Sequence, residues 1–448
     1  MKRKEFLKMT AGLAGGIAGL PVMGRFSGAA TRVPAAPGPA ASAPITSSPV
    51  ADLLAQAAAA GDEEFYWKLI RDQFILDPEW TFLNFGGLGS CPLPVLDALV
   101  AFTRAEERAP SAGHDEKPWQ DVKEKLARSL GPTCRKEDLG LIGGATEGVN
   151  VIVNGLALKK GDEVITSTHE HVAVHSALLN RMQRDGIAIR LFDPDIANAQ
   201  GNVDRIARLI TPRTRLVIMS HVTCTTGQLF PAKEIAALAR AKGIWFALDG
   251  AQAPVNAPFD IVATGVDFYT CSTHKWMMGP KRTGFIYVRQ GLVDALRPQT
   301  VGGGSSVRYD AAKGEFVLKP TAERFESGTQ NDALFYALGT ALDFVETIGV
   351  GRIARRCRPM AERFYRGLGE IPGVERLSPE EEAYRTLMIG FRMKARTSAE
   401  IMSHLAKDKI RARPVGEGGL DSIRVSFYLN NRDEDVTTIL DSLKKLAG

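Results

Sequence analysis

The chain has 448 residues, 44% of them hydrophobic and 24% charged, the proportions of an ordinary globular protein with room for two or three compact domains. Its formal net charge of +5 at pH 7 is spread along the chain without a basic block, which excludes the electrostatic footprint of a nucleic-acid partner. Five scattered cysteines with no Cys-x-x-Cys pair exclude a disulfide framework and a zinc site.

The N-terminus opens with a basic stretch, Lys2-Arg3-Lys4-Glu5-Phe6-Leu7-Lys8. A weakly apolar, glycine- and alanine-rich run from Thr10 to Met23 follows, and then small residues at Ser27-Gly28-Ala29-Ala30. The run resembles a twin-arginine export signal, with Lys4 in place of the second arginine. It predicts an export signal over residues 1–30 and a periplasmic destination, being too short and glycine-rich to span hydrocarbon comfortably. Residues 31–51 are rich in Pro, Ala and Ser and predict a flexible tether. The mature globular protein is expected to begin near Asp52, with an N-terminal segment over 52–96. No later stretch is long and apolar enough for a transmembrane helix, so no stable membrane insertion is expected after signal removal.

From Asp97 onward, helical and strand patterns alternate in the manner of a parallel α/β sheet. Strands are predicted over Glu163 to Ser167, Ile187 to Phe192, Leu216 to His221, Ile244 to Leu248, Phe268 to Cys271 and Gly284 to Val288. Amphipathic helices are predicted over Val172 to Gln183 and Ala232 to Ala241. The fold class is therefore α/β: a large, doubly wound, mostly parallel sheet domain over 97–330, collecting ligands beyond the carboxyl ends of its strands. After Asn331, long helices over Asp332 to Thr347 and Gly351 to Leu368 give way to shorter strands and helices. They predict a small C-terminal α+β domain over 331–448.

Chemistry-bearing residues gather at those strand ends. Leu141-Ile142-Gly143-Gly144-Ala145-Thr146-Glu147-Gly148 is a glycine-rich turn opening a helix, where free backbone N–H groups bind phosphate and Thr146 adds a hydroxyl. Asp249 closes an apolar strand, and Gln252 follows it in Asp249-Gly250-Ala251-Gln252. Lys275 follows another strand in Cys271-Ser272-Thr273-His274-Lys275-Trp276, flanked by two phosphate donors, Ser272 and His274. An amine and a carboxylate on neighbouring strand ends are what a protein needs to hold pyridoxal phosphate: the amine forms a Schiff base, and the carboxylate keeps the pyridine nitrogen protonated. His171, beyond the strand ending at Ser167, puts a flat imidazole at the same edge. Of the seven histidines, His169, His171 and His175 have a spacing open to metal ligation, but no His-Glu-x-x-His or equivalent set accompanies them, and no metal is expected.

Together these residues resemble the fold-type I pyridoxal phosphate enzymes of the class V aminotransferase family over about residues 80 to 445. The most specific match is Asp249-x-x-Gln252 followed by Ser272-x-His274-Lys275. Within the family the chain is similar to the isopenicillin N epimerase group. That likeness lies in Leu83-Asn84-Phe85-Gly86-Gly87-Leu88-Gly89, in Ser220-His221-Val222-Thr223-Cys224-Thr225-Thr226-Gly227 with Pro231-Ala232-Lys233-Glu234, and in His274-Lys275-Trp276.

The resemblance implies pyridoxal 5'-phosphate as cofactor and Lys275 as Schiff-base lysine and proton carrier. Asp249 would be the pyridinium partner, Gln252 the contact to the phenolic oxygen and His171 the ring-stacking residue. Ala145, Thr146, Ser272 and His274 would hold the phosphate. Thr329, in Glu326-Ser327-Gly328-Thr329-Gln330, would reach the phosphate of the other subunit, which implies a homodimer with shared sites. Arg424, in Ile423-Arg424-Val425-Ser426, would pair with the carboxylate of a small-molecule amino-acid substrate by two parallel hydrogen bonds, and Asn84 would join it there.

Epimerisation, transamination and β-elimination all begin at Cα and stay open at this point. A cysteine desulfurase needs a mobile nucleophilic cysteine, and the corresponding stretch Arg411-Ala412-Arg413-Pro414-Val415-Gly416-Glu417-Gly418-Gly419 contains none. Cys224 keeps the desulfurase or C–S lyase alternative in play. A catalytically silent, exported binding protein would not require Lys275, Asp249 and Arg424 together.

Overall fold

The computed structural model describes residues 61–110, 116–257 and 259–448, together with Ala55, Gln56, Ala58 and Ala59. The predicted export signal and tether lie outside the described residues.

The first helix, α1 (Glu63–Arg71), is opened by the Asp62 carboxylate, which accepts from the Phe65 N–H at 3.0 Å, and has Glu63 and Glu64 in its first turn. Both features satisfy the free N–H groups and the positive end of the helix dipole. The chain then runs through β1 (Thr81–Phe82), α2 (Leu93–Arg108), α3 (Glu116–Leu130), β2 (Leu139–Ile142), α4 (Ala145–Gly155), β3 (Glu163–Ser167), α5 (Val172–Asp185) and β4 (Ala188–Phe192). It continues with α6 (Gly201–Leu209), β5 (Thr214–Ser220), α7 (Ala232–Ala241), β6 (Trp245–Asp249), β7 (Phe268–Ser272) and β8 (Gly284–Val288).

Seven of these strands form one sheet in the order β2-β8-β7-β6-β5-β3-β4. The run from β7 to β4 is parallel, while β8 is antiparallel to both of its neighbours. The sheet is mostly parallel, as the pattern of the sequence predicts. Its edge strand β2 was not predicted, because a four-residue run ending in a glycine turn carries no periodicity to separate strand from loop.

Successive residues of β5 point to opposite faces, and both faces are apolar. Val217 and Met219 pack with Phe246, Leu248, Ile235, Trp119 and Leu338. Leu216 and Ile218 pack with Ala247, Val149, Ile152, Val174 and Leu178. Helices therefore cover both sides of the sheet, as a parallel sheet requires. Burying each such aliphatic side chain contributes about 1.5–3 kcal/mol.

Beyond β8, a hairpin of β9 (Ser306–Asp310) and β10 (Glu315–Leu318) precedes two long helices, α8 (Asp332–Ile348) and α9 (Val350–Leu368). The remainder comprises β11 (Val374–Arg376), β12 (Met388–Met393), α10 (Ser398–Lys407), β13 (Ile410–Arg411), β14 (Arg413–Val415), β15 (Ser422–Ser426) and α11 (Asp433–Ala447). Four of its strands make an antiparallel sheet, β11-β12-β15-β14.

The N-terminal segment packs against this sheet. Tyr66, Trp67 and Ile70 share a core with Phe364, Ile423 and Ile439, and β1 pairs in parallel with β13, Thr81 opposite Ile410. The beginning and the end of the described chain are thus packed together, which brings Asn84 and Arg424 to the edge of the large sheet.

Candidate active site

The parallel register sets Ser220, the last residue of β5, beside Asp249, the last residue of β6, and Asp249 beside Thr270 of β7. At this edge lies a cavity of about 160 Å³ lined by Ala145, Thr146, His171, Ser220, Val222, Cys224, Asp249, Gln252, Ser272, His274 and Lys275, with Gly87, Ala173 and Ala251 completing the wall. Eight of the predicted residues meet there.

The start of α4 forms one end. Gly144 precedes the helix with φ +140°, a conformation that favours glycine, and a Cβ there would come within 3.0 Å of Ser272 Oγ. The Ser272 hydroxyl accepts from the Ala145 N–H at 2.8 Å, and the Gly143 N–H donates to Glu147 Oε2 at 2.9 Å, which fixes the turn. His274 Nδ1 is buried without a partner. Burial, aided by Lys275 and Lys281, pushes the His274 pKa down to about 4 and keeps the ring neutral.

Lys275 and Asp249 face the same cavity. Burial holds the Lys275 ammonium below its usual range and Arg424 adds to that, while Asp249 opposes it. The Asp249 carboxylate is aimed by the Ala251 N–H, which donates to its Oδ1 at 2.9 Å. Behind Lys275, the chain is pinned by Tyr428, whose hydroxyl donates to the Trp276 carbonyl at 2.6 Å, and by ring contacts of Trp276 with Phe85 and Tyr428.

His171 caps α5, its Nδ1 accepting from the Ala173 N–H at 3.2 Å. That bond places the ring proton on Nε2. Burial, and then Lys275, lowers the His171 pKa and favours the neutral ring.

Gln252 is held at both ends of its amide. Its Oε1 accepts from Trp276 Nε1 at 2.9 Å and its Nε2 donates to the Gly86 carbonyl at 2.7 Å. Indole N–H can only donate, so the amide orientation is determined, and one Nε2 proton remains for a ligand.

The other predicted residues stand outside the cavity lining. Arg424 is 1% exposed and donates to the Cys224 carbonyl at 2.7 Å and to Asn84 Oδ1 at 3.0 Å, with its Nε unpartnered. It therefore borders the cavity through Cys224. Thr329 is exposed and does not approach this cavity. His169, His171 and His175 turn to different partners: His169 Nδ1 lies 3.2 Å from Thr225 Oγ1, and His175 Nε2 lies 2.8 Å from the Ser167 carbonyl.

Sequence reasoning assigned no role to Ser220, Glu170, Arg413 or Glu417. Ser220 lines the cavity, and Arg413 pairs with Glu417 while donating to the Cys224 carbonyl at 3.4 Å. The one signal for Ser220 was its position one residue before the end of the strand predicted over Leu216 to His221.

An amine, a carboxylate, an unpartnered buried imidazole nitrogen and a glycine-relieved helix start in one cavity are a donor set that fits pyridoxal phosphate. The aminotransferase class-V family model matches residues 92–439. The isopenicillin N epimerase of Amycolatopsis lactamdurans is 28% identical over 400 residues, which cover 85% of this chain and 98% of that protein. The cysteine desulfurase of Salmonella newport (strain SL254) is 28% identical over 384 residues, covering 82% of this chain and 93% of the other. Among solved structures, the complex of the cystine C-S lyase C-DES with its reaction product cysteine persulfide superimposes with a TM-score of 0.73 at 26% identity, covering 82% of this chain and 98% of that one.

Proposed function

The chain belongs to the aminotransferase class-V family, and we propose that it is a pyridoxal-phosphate-dependent enzyme that moves the Cα proton of an amino acid or amino-acid-derived substrate. The observation that carries this reading is the meeting of Lys275, Asp249 and the start of α4 in one cavity. Pyridoxal phosphate, when bound, supplies an electron-withdrawing ring that makes the substituents of Cα labile.

The chain's own residues do the rest. Lys275 is the amine that would hold the cofactor, and its nitrogen would accept and return the Cα proton. Burial lowers its pKa, the direction a proton acceptor requires. Asp249 would hold the proton on the pyridine nitrogen, and the His171 ring would face the cofactor ring. Ala145, Thr146, Ser272 and His274 would hold the phosphate, with the first-turn N–H groups of α4 as candidate donors. The free Nε2 proton of Gln252 serves the phenolic oxygen. Arg424, steadied by Asn84, takes the substrate carboxylate.

Two features support epimerisation or transamination over sulfur transfer through a persulfide. The segment from Arg411 to Gly419 has no cysteine, and burial pushes the Cys224 thiol up to about 11. A β-elimination that cleaves a C–S bond is the second reading, favoured by the likeness to the cystine C-S lyase. It begins with the same proton removal by Lys275.

Thr329, exposed beyond the cavity, fits a homodimer in which each subunit completes the other's phosphate site. The basic N-terminus fits export to the periplasm. Sedimentation of the holoprotein and fractionation of tagged cells test these two points; a monomer, or retention in the cytoplasm, would overturn them respectively.

The central test adds pyridoxal phosphate to purified protein and follows the visible spectrum, then offers a panel of L- and D-amino acids in deuterated water. A visible band and deuterium at Cα are expected. A colourless protein that takes up no cofactor would reject the reading, and keto acid or sulfide among the products would select between the reactions.

A further inference from the structure

Glu170 precedes His171, yet its side chain is 0% exposed and does not line the cavity. Its carboxylate accepts from the Ser167 hydroxyl at the end of β3 and from the Ser220 hydroxyl at the end of β5, the latter at 2.6 Å. The Ser220 backbone N–H is a third donor. Ser220 is in turn the register partner of Asp249. Among the described residues no lysine, arginine or histidine forms an ion pair with Glu170.

A buried carboxyl without a cation is expensive, and two serines directed at it represent a built environment. We infer that Glu170 is a positioning residue of the active site: it ties the ends of β3 and β5 to the turn that carries His171, and sets a second carboxyl beside Asp249. This role rests on the cavity being a pyridoxal phosphate site.

The consequence is electrostatic as well as mechanical. Hydroxyls face Glu170 from β3 and β5, and the charged neighbour is Asp249 from β6; His171, next in the chain, turns its Nδ1 to the Ala173 N–H. Burial, and to a lesser degree Asp249, raise the Glu170 pKa to about 7 against the pull of its three hydrogen bonds. The group therefore gains charge as pH rises through neutrality. Its negative charge then adds to that of Asp249 in favouring protonated nitrogen in the cavity.

Glu170→Gln keeps the shape and removes the charge. In the holoprotein, the pH midpoint of the visible band is expected to move down by about half a unit or more, since a cation loses a nearby anion. The dissociation constant of pyridoxal phosphate, read by fluorescence quenching, is expected to rise severalfold. The cofactor-free protein gives an independent reading. The wild type loses stability between pH 4.5 and about 7, because its folded carboxyl holds a proton that the unfolded chain releases. Glu170→Gln lacks that loss, so its melting temperature relative to wild type should be higher at pH 8 than at pH 5. If Glu170→Gln does not fold, Ser167→Ala tests the midpoint of the visible band by weakening support for the carboxylate, with a smaller downward shift. Normal cofactor uptake with an unchanged midpoint and dissociation constant would overturn this role alone. A wild-type protein that takes up no cofactor would overturn the site and the role together.

Discussion

Arg424 and Asn84, 340 positions apart, are joined by a hydrogen bond of 3.0 Å from the Arg424 Nη2 to the Asn84 Oδ1. The other terminal nitrogen of the guanidinium donates to the Cys224 carbonyl at 2.7 Å. One side chain thus links the segment before α2, the loop after β5 and the small antiparallel sheet at the cavity's border. Arg424→Lys keeps the charge but not the planar fork. It should raise KM about tenfold or more for a carboxylate-bearing substrate. Asn84→Ala should act in the same direction and less. Steady-state kinetics on both variants check this, and an unchanged KM in Arg424→Lys would remove the residue from substrate binding.

Lys275 has a more drastic expectation. In Lys275→Ala the visible band of the holoprotein should vanish, and Cα exchange should fall by at least about 10²–10⁴-fold, the usual contribution of a positioned proton carrier. The phosphate end is built by other residues, so pyridoxal phosphate should still bind without a covalent bond. Spectra and equilibrium dialysis separate the two effects. Retained exchange with no band would assign the proton to another group.

How far these residues could be found in the sequence depends on the distance over which each relation is made. Asp249-x-x-Gln252 and Ser272-x-His274-Lys275 are local, and each follows an apolar strand whose end is readable from its alternation or continuous burial. Their meeting follows from a single rule, that a parallel sheet presents its carboxyl ends at one edge. The pairing of β1 with β13, and the bond from Arg424 to the Cys224 carbonyl, are set by packing between remote segments, which no local pattern encodes. Glu170 was hidden for a different reason: a glutamate before a histidine reads as a surface pair, and its burial appears only once Ser167 and Ser220 are placed on either side of it.

Gly148 tests how tightly the phosphate end is fitted. It lies in the first turns of α4 against β7, where an added Cβ would come within 1.9 Å of Thr270 Oγ1 and 2.5 Å of Thr270 Cβ. Neither backbone nor a β-branched strand residue yields easily at 0% exposure. Gly148→Ala should cost about 1–3 kcal/mol by overpacking. Because the helix must lift from the sheet, cofactor affinity should fall as well. Denaturant unfolding and cofactor titration measure the two quantities, and full stability with full affinity would contradict the tight packing.

Cys224 separates the two C–S readings. Its sulfur is buried, and its thiol is raised to about 11 by burial and by Glu417, against the opposing pull of Arg413, Arg424 and Lys275. An acid with a raised pKa stays protonated until the pH approaches that value, so at pH 8 little thiolate is present to attack sulfur. Iodoacetamide should therefore label Cys224 slowly in the folded protein at pH 8 and faster as the pH is raised toward 10. If the protein releases sulfide from cysteine, the Cys224→Ala variant should still release it, because a β-elimination started by Lys275 needs no protein thiol. A persulfide trapped on Cys224, together with loss of sulfide release in Cys224→Ala, would instead require that binding of substrate lower the thiol pKa by several units and would make sulfur transfer the better account of the site.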